Sequence, residues 1–176
     1  MSIIFDIGDL FEAGMKRTLP ALEVPHHDSR VLNLGAGNTS LHLPGRHVYN
    51  LDLPEWDATR DWLHAFASGT IGGIYAFHFF EHLTGEDSIK MLRECLRVLE
   101  PGAPLTIVVP HHMGTMAFHD LTHKSFYNID TWSNLLNNRW QVHERDGWTF
   151  DIGLNIVIGV AERNLALMTQ LIKTEE

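Results

Sequence analysis

The sequence predicts an α/β protein: an open, twisted, mostly parallel sheet closed by a carboxyl-terminal antiparallel hairpin. Three observations carry that reading. The short apolar runs Val31–Leu34, Val48–Leu51, Ile74–Phe80 and Leu105–Val109 are bounded by Gly, Pro or charged residues, the pattern of strands buried on both faces. Between the third and fourth runs, Ile89, Leu92, Leu96 and Leu99 recur at helical spacing, which makes a βαβ unit with a right-handed crossover. Towards the end, Gly153–Val160 and Leu165–Ile172 have strand character and flank the polar turn Ala161–Asn164, so they read as a hairpin.

In chain order, Gly8–Leu19 carries Leu10, Phe11, Met15 and Leu19 at helical spacing and predicts a leading helix that ends near Pro20. The first strand follows at Val31–Leu34. Asn38–His47 contains Pro44–Gly45 and leaves room for a turn or so of helix, so the first crossover is abbreviated. After the third strand, Thr84 can cap the helix and Pro101–Gly102 stops it. Glu81, just ahead, reads as a helix-start device, favourable at the positive end of the dipole. Beyond Pro110 runs a long histidine-rich loop, then a short helix over Asp130–Asn138 and a stretch of strand character at Trp140–Glu144.

Composition bounds the function. A chain of 176 residues that is 44% hydrophobic and 20% charged is expected to form one globular domain, with no repeat or linker to divide it. At that size folding removes roughly two-thirds of the unfolded surface from water, so neither disulfide nor structural metal is needed. The single cysteine, Cys95, excludes an intrachain disulfide and, among apolar neighbours on a helix, reads as a buried, inert thiol. The 22 acidic against 13 basic residues, a net charge of −9, argue against a nucleic-acid partner. No apolar run approaches the roughly 20 residues of a membrane span. The acidic start, Met1 to Leu10, lacks the basic region of a secretory leader, so a cytoplasmic location is expected.

The run Val31-Leu32-Asn33-Leu34-Gly35-Ala36-Gly37-Asn38 places Gly-x-Gly directly after a buried strand, where glycines let the backbone approach a ligand. The next strand delivers Asp52 at its carboxyl end, the position that holds a ribose in open α/β sheets. A nucleoside ligand is implied. The third glycine of the dinucleotide fingerprint is missing, with Thr39 and Leu41 in its place, and little helix follows to meet a pyrophosphate. NAD is thereby disfavoured, and a nucleoside without phosphates, such as S-adenosylmethionine, fits better.

Here the sequence resembles the class I S-adenosylmethionine-dependent methyltransferases, over roughly Arg30 to Asp130. Their glycine motif is similar to Leu32–Asn38; their fourth-strand segment ending in Glu-His-Leu is similar to Ile74–Leu83; their Arg-Val-Leu-Lys-Pro-Gly-Gly turn is similar to Arg97–Ala103. The resemblance extends to small methyltransferases associated with glycan biosynthesis, which share the abbreviated first crossover and an Asp-x-x-His like Asp120–His123. It implies a Rossmann-like sheet and S-adenosylmethionine as cofactor. It also implies that Asn33, Gly35, Ala36 and Gly37 lie at the methionine and ribose, that Asp52 holds the ribose hydroxyls, and that Leu53 packs on the adenine. Asp61, with Trp62 beside it, falls near the adenine amino group, and Phe77 and His78 line the cofactor at the end of the third strand. Asn33 stands where the family places an acid, Gly73 where it opens the strand with Asp, and Ala103 where it has a second Gly.

Twelve histidines is a high count for this length, and His111, His112, His119 and His123 crowd the loop that leaves the fourth strand. Such a loop emerges on the edge where open α/β sheets bind ligands, and its length suits a lid over the methyl-transfer centre. Imidazole titrates near neutrality, so His112, His119 and His123, with His82, are the acid–base candidates. His119 and His123, four apart, could share a helix face and bind zinc or iron, but a sulfonium donor needs no metal and none is expected. The expected acceptor is a small or glycan-like molecule, and the oligomeric state is left open. A binding or scaffold protein that has lost turnover is the alternative, favoured by Asn33 and Gly73, and a metal-dependent hydrolase using His111–His123 a third.

Overall fold

The structure, a computed structural model, describes residues 30–37, 40–136, 150–159 and 164–174. The expected leading helix, the segment Trp140–Glu144 and most of the hairpin turn lie outside those residues. Among the described residues, six strands form one sheet: β1 (Arg30–Leu34), β2 (His47–Leu51), β3 (Ile74–Phe77), β4 (Pro104–Pro110), β5 (Phe150–Ile158) and β6 (Ala166–Lys173). Their order is β2-β1-β3-β4-β6-β5. The first four are parallel, β1 pairing with β2 and β3, and β3 with β4. β6 runs antiparallel between β4 and β5, which is the expected closing hairpin.

Among the described residues, the connections between these strands contain little helix. Residues 40–46 between β1 and β2 contain no helix where a turn or so is expected, Pro44–Gly45 forming a turn instead, and the connection from β2 to β3 is made of turns and bends with an isolated bridge from Ile71 to Leu99. The helical crossover α1 (Gly85–Val98) joins β3 to β4. Thr84 caps it: its side chain accepts from the Asp87 N–H at 3.1 Å, satisfying one of the first-turn donors that a helix leaves open. Its inner face is Ser88, Met91, Leu92, Cys95, Leu96 and Val98, spaced to lie on one stripe. That stripe packs on Leu32, Leu34, Ile74, Ala76, Leu105 and Ile107 of the sheet. Cys95 is wholly buried there, and desolvation pushes its thiol far above the ordinary value, so its inert reading holds. At the carboxyl end of α1 the Lys173 ammonium donates to the Leu99 carbonyl, 2.6 Å away.

The third strand is shorter than its apolar run suggests. It ends at Phe77 because His78 takes a left-handed backbone, φ 52°, and a single 3-10 turn, Phe80–His82, follows before α1 begins. The short helix expected over Asp130–Asn138 is α2 (Thr131–Leu136), and residues beyond it lie outside those described. Its Trp132 is buried against Phe80 and stacked on Tyr127 at 5.4 Å, which seats the far end of the histidine loop on the core. Among the described residues, no helix is long and apolar enough to cross a membrane.

Candidate functional site

The topology places a crevice before any side chain is considered. From β1 the chain passes to β2 on one side and then returns to β3 on the other, so the strand order switches direction between β1 and β3. At such a switch the carboxyl ends of the two strands diverge and leave room for a ligand. Gly35–Gly37 leave β1 there, Phe77 and His78 leave β3, and Asp52 leaves β2 beside them.

The glycine loop is shaped by what surrounds it. Gly35 (φ 69°) and Gly37 (φ 56°) both occupy the left-handed region that a side chain disfavours. The N–H groups of Gly35 and Ala36 both donate to the Leu51 carbonyl, at 2.9 and 3.2 Å, which turns the loop over the end of β2. Phe79 closes on Gly35 from below, and Trp56 stacks on Phe79 at 6.0 Å. Neither aromatic was singled out from the sequence as a site residue, because only the return of residues 52–66 over the sheet edge brings Trp56 there. Asp52 is the hinge of the loop. One carboxylate oxygen accepts from the Gly37 N–H and the other from the Leu53 N–H at 2.8 Å. Two of about four acceptor positions on a carboxylate remain for a ligand. Leu53, joined to Pro54 by a cis peptide, leaves its side chain 67% exposed beside them.

Asn33 is buried and donates its amide to Asn50 Oδ1 at 2.8 Å, and the same oxygen accepts from the Leu41 N–H. The amide is part of a clamp holding the first crossover to the sheet. Asp61 is exposed, and its carboxylate accepts from the Asp57 N–H at 2.8 Å, closing a turn. Trp62 packs against the core, its carbonyl accepting from the Trp56 indole at 2.6 Å, with φ 45°. Among the described residues, Trp62 and His78 are the two non-glycine positions with positive φ. Strained backbone of this kind concentrates where a structure must present a group in one orientation.

The histidine loop is less free than its composition suggests. The His112 N–H donates to the Tyr127 carbonyl at 2.9 Å, pairing the two ends of the loop. Lys124 and Ser125 donate their N–H groups to the Glu81 carbonyl at 2.7 and 3.1 Å, so the returning limb is strapped across the turn that follows β3. Tyr127 donates to the Phe80 carbonyl at 3.1 Å, and burial pushes its phenol up to about 12. These anchors decide which imidazoles meet. His123 lies edge-on to His82, ring centroids 4.9 Å apart, whereas His112 and His119 are exposed. His112 lies instead beside the buried His111, which burial and that neighbour hold below its ordinary value. The helix-face pairing of His119 with His123 does not form, because the segment is a loop and the His123 Nδ1 donates to the Ala117 carbonyl at 3.0 Å.

Glu81 is the residue whose role changes most. It is 1% exposed and lies in the 3-10 turn ahead of α1, whose own first turn carries Glu86 and Asp87 as the dipole companions. A carboxylate beside a dipole end would be solvated, and this one is not. His78 Nδ1 lies 3.1 Å from its Oε1, while Oε2 is buried without a hydrogen-bond partner.

No protein-family model and no curated protein matches the sequence. Solved structures do. An S-adenosylmethionine-dependent methyltransferase from Archaeoglobus fulgidus matches with TM-score 0.55 at 16% identity, over 92% of this chain and 93% of its own. One from Methanosarcina mazei matches with TM-score 0.55 at 15% identity, over 87% and 96%. The chain has the class I methyltransferase fold. The 1,6-didemethyltoxoflavin-N1-methyltransferase of Burkholderia thailandensis, a structure with bound S-adenosylhomocysteine, shares that fold with TM-score 0.53 at 12% identity, over 83% of this chain and 71% of its own. In the methyltransferase fold seen here, Gly35–Gly37, Asp52 and His78 all stand on the crevice edge of the sheet.

Proposed function

We propose that the protein binds S-adenosylmethionine at the carboxyl ends of β1, β2 and β3 and transfers its methyl group to a small-molecule or sugar-like acceptor. One observation carries the reading: the left-handed Gly35–Gly37 loop and the Asp52 carboxylate meet at the switch in strand order. The residues present fit the ligand. The free acceptor positions of Asp52 suit the paired hydroxyls of a ribose, and the exposed Leu53 suits the face of an adenine. Gly35, Ala36, Gly37 and the Asn33 carbonyl oxygen would hold the methionine part; Phe77 and His78 would line it from β3; Asp61 and Trp62 would flank the adenine. When bound, S-adenosylmethionine supplies an electrophilic methyl group on a sulfonium.

The remaining work belongs to the protein. Methyl transfer to a positioned nucleophile gains most of its rate from orientation, so the loop over residues 110–128, strapped to Glu81 and closed on itself from His112 to Tyr127, would hold the acceptor above the crevice. Exposed apolar side chains on it, Met113, Phe118, Leu121 and Phe126, give an acceptor surface. His82 and His123 are the members of the candidate set brought together by the fold, and their imidazoles would face the acceptor's oxygen or nitrogen. The net charge of −9 agrees with an acceptor other than nucleic acid.

Calorimetry with S-adenosylmethionine tests the site. Asp52→Ala should lose roughly 1–3 kcal/mol of binding for each ribose donor left unpaired. Wild-type affinity in that variant would remove the placement. Release of S-adenosylhomocysteine with candidate hydroxyl and amine acceptors separates an enzyme from a protein that binds without turnover.

A further inference from the structure

The cluster of Glu81, His82 and His123 contains more than an acid–base pair requires. One potential ligand atom from each residue lies within 4.8 Å of those from the other two. In each of the three side chains one polar atom is already engaged. The Glu81 Oε1 is held by His78 at 3.1 Å. The His123 Nδ1 faces the Ala117 carbonyl, which only accepts, so Nδ1 carries the proton and Nε2 the lone pair. The His82 Nδ1 lies 2.9 Å from Thr122 Oγ1, and that hydroxyl spends its own hydrogen on Asp120 Oδ1 at 2.7 Å. It can therefore only accept from His82, which again leaves Nε2 with the lone pair. The Glu81 Oε2 is buried with no donor to meet it.

Three side chains that can each offer an electron pair are thus gathered, one of them a buried carboxylate, and each has a further polar atom engaged by a neighbour. We propose that Glu81, His82 and His123 bind one divalent transition-metal ion, of the zinc, iron or manganese class. Two imidazoles and a carboxylate suit such ions and leave coordination positions open. The engaged atoms behind the ligands, on His78, Thr122 and Ala117, are the outer groups that orient metal-binding side chains. Ligands about 2.1 Å from an ion stand roughly 3.0–3.5 Å apart, so donors that now lie within 4.8 Å of one another must close by up to about 1.3–1.8 Å, through side-chain rotation on binding. The pair read from sequence, His119 with His123, is not this site: His119 is exposed, and the second imidazole comes from the turn after β3.

The ion would sit where the loop crosses the carboxyl end of β3. An acceptor hydroxyl could take an open position and lose its proton more readily there. That last clause rests on the methyl-transfer reading; metal binding does not.

The test uses the full-length chain, stripped with chelator and titrated with Co(II) while its visible absorption is followed. Saturation at one equivalent is expected, with at least tenfold weaker binding in Glu81→Gln, His82→Ala and His123→Ala and unchanged binding in His119→Ala. No saturable absorption in the wild type, wild-type binding in the three variants, or loss in His119→Ala instead, overturns the site. Melting temperatures guard against misfolded variants: Co(II) should raise that of the wild type and leave that of His123→Gln, altered on the loop alone, unmoved. Equal rises in both also overturn it. Calorimetry of the same metal-free protein with S-adenosylmethionine is a separate readout. Failure there with intact Co(II) binding counts against the methyl-transfer reading, and the converse against the metal.

Discussion

Replacing Gly35 by alanine should destabilise the fold by about 2–5 kcal/mol, from two separable contributions. Gly35 holds φ 69°, where a Cβ crowds the following carbonyl oxygen. That part amounts to roughly 1–2 kcal/mol. The added Cβ would also stand 2.8 Å from Phe79 Cδ2 and 3.0 Å from Phe79 Cβ, closer than such atoms pack. Phe79 has nowhere to go, being stacked on Trp56 at 6.0 Å and set edge-on to Phe80 at 5.4 Å. Overpacking of this kind adds typically about 1–3 kcal/mol. Gly45 supplies the control, since it has φ 72° but nothing within 4 Å of its absent Cβ. Gly45→Ala therefore carries only the backbone contribution, and the difference between the two variants measures the Phe79 contact. Urea unfolding followed by tryptophan fluorescence would read it as a lower midpoint with an unchanged slope. Equal shifts in the two variants would show that Phe79 does not seat the glycine loop, and the account of the loop's shape would fail with it.

Thr84→Ala removes the side-chain acceptor of the Asp87 N–H and should lower stability by about 1 kcal/mol, a fall of roughly 2–4 °C in melting temperature; a calorimetric scan without that fall would contradict the cap. Acid should destabilise the protein in two stages. Burial, then the neighbouring His112, holds His111 below its ordinary 6.5, so the unfolded chain binds that proton first and stability declines as pH falls below about 6.5. The Arg97 hydrogen bond holds Glu94 below its ordinary 4.5, and a further loss, small because Glu94 is partly solvated, begins near that pH. Melting temperatures between pH 7 and pH 5 should therefore fall in the wild type and flatten in His111→Gln, and a flat wild-type profile would refute the first stage.

The strands and α1 were legible because their signals are local. A short continuous apolar run marks a strand buried on both faces and residues three or four apart share a helix face, so Val31–Leu34 and Leu92–Leu96 announce themselves in the chain. Errors came where a local signal met a non-local constraint. The apolar run through Phe80 reads as one strand, yet β3 stops at Phe77 because His78 turns left-handed and takes up Glu81.

By itself the sequence determined the α/β class, the closing hairpin, the glycine loop and the acid that follows it, since each rests on neighbours in the chain or on one strand delivering one residue to an edge. Only the tertiary structure decided which histidines meet. His82 and His123 are 41 residues apart, and what joins them is the strap of Lys124 and Ser125 N–H groups on the Glu81 carbonyl. Backbone hydrogen bonds of that kind carry no side-chain signature, so no spacing in the sequence records them. The burial of Glu81 has the same origin: the loop that returns over it removes the water that would otherwise solvate its carboxylate.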